Sequence, residues 1–169
     1  YPDWILIRRG DTFYESIGGQ TRNGRSLTEP FLIGSYGSTG GNPLFKTGVA
    51  SGIGIGQNFR WIAVSGISFY AHTRDPDSPE YISTVGSEGL NIVTIKSYRG
   101  MGVLIEGCSF RFYEGNIVQN LAHGVSHVMV RRSRFLDQYS DHSHSQGMWA
   151  YNVSHLILEE NIFDHNGWY

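Results

Sequence analysis

One eight-residue pattern recurs four times along this chain, and it limits the possible folds more than any other feature. It runs apolar, any residue, apolar, two polar or small residues, two variable residues, then Phe. The copies are IAVSGISF at 62–69, VLIEGCSF at 103–110, VMVRRSRF at 128–135 and LILEENIF at 156–163. In each copy the first and third residues share one face of a strand, the polar pair turns the chain, and the Phe points inward again. The Phe positions are 69, 110, 135 and 163, so the last two steps are 25 and 28 residues. The first step, 41 residues, reads as one turn with a long insertion.

A repeat of roughly 20–30 residues is the mark of a solenoid. The repeated unit is rich in Val, Ile and Phe and alternates as a strand does. No stretch keeps helical spacing with good helix formers, and the Leu-x-Leu and Asn ladder of leucine-rich repeats is absent. The expected fold is therefore all-β, a right-handed parallel β-helix of five to seven coils, each adding a rung of about 4.8 Å. The stretches ILEENIFDHNGW at 157–168 and WILIRRGDTF at 4–13 resemble the pectate-lyase-like family. The resemblance spans essentially the whole chain. It implies the fold but no single activity, because that family holds lyases, hydrolases, epimerases, tailspikes and non-catalytic surface proteins.

Composition narrows the partners. The chain has 169 residues, one domain by length, with 13 basic and 15 acidic side chains and a net charge of −2. Nothing in it suggests a nucleic-acid surface, a polybasic membrane patch or a membrane span. The single cysteine, Cys108, allows no internal disulfide. Neither end carries the cap that a solenoid needs, so a fragment of a longer chain, or a unit covered by neighbours end to end or laterally, is expected.

The third strand of each coil is placed at Asn91–Ser97, Asn120–His123 and Met148–Asn152. Residues 14–30 and 72–80 read as loops. Alternation then sends Lys96, Leu121 and Trp149 outward in one column, and Tyr98, His123 and Tyr151 in the next. In the pectate-lyase-like family this face lines the saccharide groove. Lys96 is expected to neutralise a uronate carboxylate, His123 to act as base, and Tyr98 or Tyr151 as acid. The loop before the last strand adds His142 and His144 as titratable groups, with Asp141, Gln146 and Trp149 as binding residues.

Other charges have structural readings. Glu106, Arg131 and Glu159 fall at one position of successive coils and form an alternating ladder, with Arg132 over Glu160 beside it. His127 and His155 share a repeated Val-Ser-His and read as scaffold. His165 falls above Asp137 as a stacking pair. Cys108 packs inward and is rejected as a nucleophile. No metal site is expected: His142 and His144 lack companions for zinc, and Ca²⁺ would want more carboxylates than Asp137 and Asp141 supply.

The expected function is an extracellular or cell-surface protein that binds a polysaccharide, with uronate lyase or epimerase chemistry as its enzymatic form. The alternative is a non-catalytic adhesin, appendage or filament component.

Overall fold

The computed structural model describes residues 3–56, 58–94, 100–120, 124–141 and 144–168. The chain runs in repeated circuits of short strands. The first circuit holds β1 (Trp4–Arg8), β2 (Thr12–Phe13) and β3 (Gly18–Gln20), and the second β4 (Phe31–Tyr36), β5 (Leu44–Lys46) and β6 (Ile53–Gly56). The third holds β7 (Arg60–Ser65), β8 (Ser68–Tyr70) and β9 (Glu88–Thr94), and the fourth β10 (Gly100–Glu106), β11 (Ser109–Arg111) and β12 (Gly115–Asn120). The fifth holds β13 (Val125–Arg131), β14 (Arg134–Leu136), β15 (Tyr139–Ser140) and β16 (Trp149–Ala150). The sixth holds β17 (Val153–Glu159), β18 (Ile162–Asp164) and β19 (Gly167–Trp168).

Strands of equal place in the circuit pair in parallel. Sheet A is β1-β4-β7-β10-β13-β17, sheet B is β2-β5-β8-β11-β14-β18, and sheet C is β3-β6-β9-β12-β16. β15 and β19 add a short parallel pair. Among the described residues there is no α-helix, only one 3₁₀ turn at His72–Arg74. Stacked parallel sheets visited in rotation are compatible with a parallel β-helix.

The Phe residues of the template stack in register: Phe69 on Phe110, Phe110 on Phe135, and Phe135 on Phe163. Two more rings, Phe13 and Phe45, extend the column through the first two circuits. Ile33, Val64, Ile105 and Val130 form the matching aliphatic column, all fully buried.

Corners explain the rest of the template. The tight turn between sheets A and B takes a left-handed residue: Gly66, Gly107, Arg132 and Glu160 have φ of 67°, 60°, 50° and 53°. Asn161 seals that turn, donating to the Val130 carbonyl at 2.8 Å and accepting from the Ser133 amide at 3.0 Å. The long insertion follows β8. It is pinned by Arg74, fully buried, which donates to the carbonyls of Thr84, Phe112 and Tyr139 at 2.8, 2.9 and 2.6 Å. The guanidinium also lies 4.6 Å from the centre of the Tyr139 ring. Burial lowers the Arg74 pKa, while Tyr139, Glu114 and Asp141 oppose that shift.

Two readings need correction. The 14–30 segment is not all loop, because Gly18–Gln20 forms a rung of sheet C. The third strands also begin earlier than expected, at Glu88 and Gly115 instead of Asn91 and Asn120.

Candidate functional site

Sheet C presents part of the expected saccharide face. Trp149 pairs with Ile117, which pairs with Asn91, and Ala150 falls in the column of Val118 and Ile92. Ile92 and the Ile55 beneath it are buried, so that column faces inward and Trp149 faces outward. Trp149 is 47% exposed and Tyr151 56%. The expected column of Trp149 over Leu121 and Lys96 is therefore not the register of the sheet. Corners between sheets C and A differ in length, so counting back from the template start misaligns the strands.

Lys96, Tyr98, His123 and His142 lie outside the described residues. His144, Asp141 and Gln146 are exposed. Asp141 accepts a hydrogen bond from Thr84 Oγ1 at 2.9 Å, tying the 137–146 segment to the long insertion. Between His144 and Gln146, Ser145 is buried with its hydroxyl unpartnered. No group of three or more His, Cys, Asp or Glu able to hold a metal occurs among the described residues.

The charge ladder forms, with a different pairing. Glu106, Arg131 and Glu159 are register neighbours. Arg131 reaches Glu106 at 3.1 Å, and Arg132 also turns to Glu106 instead of Glu160. Partial burial would raise the Glu106 carboxyl, but the bonds from both arginines outweigh it and hold its pKa below the usual value. His165 Nδ1 lies 3.6 Å from Asp137. Cys108 is buried and its thiol is pushed up to about 11, chiefly by burial, which removes it as a nucleophile.

A second titratable cluster sits over sheet B, and sequence reasoning did not group it. Lys46 pairs with Glu80 and lies 4.7 Å from the Tyr14 ring centre. His72 is packed edge-on against Tyr14 and Tyr70, with ring centres 5.8 and 6.1 Å apart, and accepts a bond from the Gly48 amide at Nδ1. Burial lowers the His72 pKa; Lys46 lowers it too, while Glu80 opposes. Tyr70 donates to Asp75 at 2.5 Å, and burial followed by that bond pushes its phenol up to about 12. These contacts use up one another's polar atoms and fasten the insertion to the sheet.

The outer face of sheet A was also missed. Ala63, Leu104, Met129 and Ile157 align there as an outward apolar strip. They floor a groove of about 460 Å³, which Leu27 and Pro30 also line. Trp61, His127 and His155 stand along its edge. Gly102, which like these three stands one residue before a copy of the template, was the available signal, since a Gly among ring residues points to a left-handed backbone.

Comparisons with family models, curated proteins and solved structures each found no match to this chain.

Proposed function

We propose that this chain is a right-handed parallel β-helix, similar in fold to the pectate-lyase-like proteins, that binds a polysaccharide outside the cell or at its surface. The observation that carries this reading is the outward pair Trp149 and Tyr151. A half-exposed Trp on a rigid sheet is a contact surface in waiting. Its face suits the C–H surface of a pyranose, and the Tyr151 hydroxyl adds a donor and acceptor at the same level. The exposed polar residues Asp141, His144 and Gln146, which precede Trp149 in the chain, would supply the hydrogen-bonding edge that a sugar needs.

The enzymatic form of this reading is a uronate lyase or epimerase. It would use Tyr151 and His144 for proton transfer, with Lys96, Tyr98, His123 and His142 in the roles given above. The test is to mix the protein with polygalacturonate, alginate and a glycosaminoglycan, measuring binding by calorimetry and unsaturated product by ultraviolet absorbance. Binding that Trp149→Ala weakens at unchanged melting temperature supports the reading. Binding without product selects a non-catalytic adhesin or an epimerase, and isotope exchange at the uronate C5 separates those two. No binding to any of the three polymers would overturn the proposal.

A further inference from the structure

The edge of the sheet A groove is a ridge made in an unusual way. Trp61, Gly102, His127 and His155 have φ of 54°, 76°, 57° and 55°. Each is skipped in the strand pairing, one residue opposite one, so circuits three to six interrupt their ladders at the same place. Glycine accepts this conformation freely, and circuit four uses it. Circuits three, five and six carry bulky rings there instead, at a conformational cost. Neither histidine has a hydrogen bond or ion pair among the described residues. Their rings stack on each other at 4.5 Å and 9°. The stacked faces are thus occupied, and the nitrogen-bearing edges point to solvent.

The ridge separates two hollows of opposite character. On one side lies the apolar groove. On the other is a hollow of about 480 Å³ lined by Arg60, Ser126 and Ser154, with glycines and Met101. Ser126 and Ser154 are register neighbours, as the two histidines are. Arg60 is exposed, and its guanidinium has no ion pair among the described residues.

We infer that this ridge is a second, separate binding strip for an acidic polysaccharide running along the stack of circuits. The surface repeats Ser-His at two successive rungs, Ser126-His127 and Ser154-His155, and an extended chain of pyranoses advances by about one rung of roughly 4.8 Å per sugar. A repeating surface suits a repeating ligand. Across its width the strip is amphipathic, as a pyranose is: C–H surface over Leu104, Met129 and Ile157, hydroxyls against Ser126, Ser154 and the imidazole edges. Arg60 selects a carboxylate or sulfate. A peptide strand adds at the edge of a sheet and not across its face, and β7, β10 and β13 are already paired on both sides.

The test compares three variants of the full chain on polygalacturonate and on a neutral glucan, by calorimetry with parallel thermal melts. His127→Gly/His155→Gly suits the left-handed backbone and so keeps the fold. It should weaken polygalacturonate binding about tenfold, or about 1.4 kcal/mol, without lowering the melting temperature. Arg60→Ala should remove the preference for polygalacturonate over the glucan. Trp149→Ala tests the sheet C reading separately. If it abolishes binding while the ridge variants bind normally, the ridge is overturned and sheet C stands. If the ridge variants fail and Trp149→Ala binds normally, the ridge stands alone. No binding by the wild-type protein overturns both.

Discussion

Two ladders of rings run along this molecule, one inside and one outside, and they are built on opposite terms. The inner ladder is Phe13, Phe45, Phe69, Phe110, Phe135 and Phe163, with ring centres 4.8–5.8 Å apart. None of the six has a left-handed backbone, and the middle rings are closed off from water. The outer ladder is Trp61, His127 and His155, interrupted by Gly102. Every one of its residues is left-handed, and its histidines face solvent. The inner repetition is explained by packing alone: burial and stacking recover the cost of ordering each ring. The outer repetition has no such return, since exposed rings at strained positions add little to folding. Repetition in this molecule is thus not one signal but two.

The sharpest way to break this contrast is to cut the inner ladder. Phe135 is fully buried between two stacked neighbours. Phe135→Ala should cost roughly 3–5 kcal/mol in a denaturant titration. A loss below about 1 kcal/mol would mean that the column can close over the gap and that the two ladders differ less than their burial implies.

Gly102→Ala attacks the outer ladder where it is relaxed. A Cβ there would meet the Trp61 ring at 2.2 Å and sit at a φ of 76°. Left-handed strain alone sets a cost of roughly 1–2 kcal/mol, and displacement of Trp61 adds to it. Tryptophan fluorescence should shift with the displaced ring. An unchanged spectrum and unchanged stability would show that the ridge does not depend on this gap.

His127→Gly makes the contrast sharper still, because it replaces a ring with nothing. Relief of strain is worth about 1 kcal/mol, set against the entropy of glycine and the lost stacking on His155. The melting temperature should stay level or rise. A fall of the size seen for Phe135→Ala would place the histidine among the packing residues.

His72 lies between the two cases, an outer ring largely covered by its neighbours. Its folded pKa is lowered from 6.5, so the unfolded chain binds more protons just below that pH. The stability that depends on neutral His72 is present above about pH 6.5 and lost as pH falls through the window beneath it. His72→Asn keeps an acceptor for the Gly48 amide but cannot titrate, so melts between pH 5 and 7.5, about a unit either side of the ordinary histidine value, should flatten relative to wild type. Parallel curves for the two proteins would remove His72 from the pH response.

The inner ladder could be read from sequence over four circuits because the corner between sheets A and B has constant length there. Val64 to Phe69 and Leu158 to Phe163 span the same interval. Phe13 and Phe45 escaped because their corners carry extra residues, Arg9–Asp11 and Gly37–Pro43, so the spacing breaks while the column continues. The sheet C face was legible in its alternation, which sends Trp149 outward, but not in its register. Its pairing with Ile117 depends on corner lengths that follow no pattern. The outer ridge was present in the sequence as a repeated Val-Ser-His. It read as scaffold because residue identity does not reveal backbone hand. Only Gly102, one residue before its copy of the template as the rings are before theirs, carried that information.

The parallel pairing has a mechanical consequence. In all three sheets the bonds between strands point along the direction in which circuits are stacked. A force applied along that direction does not shear many bonds together. It opens them a circuit at a time, like a zip, so the molecule yields at low load and lengthens in discrete steps. The last two steps would each free 25 or 28 residues of slack, and the circuit with the insertion would free 41. Arg74, bonded to a carbonyl within that insertion and to carbonyls of the next two circuits, acts as the knot that holds back the extra length until those circuits open.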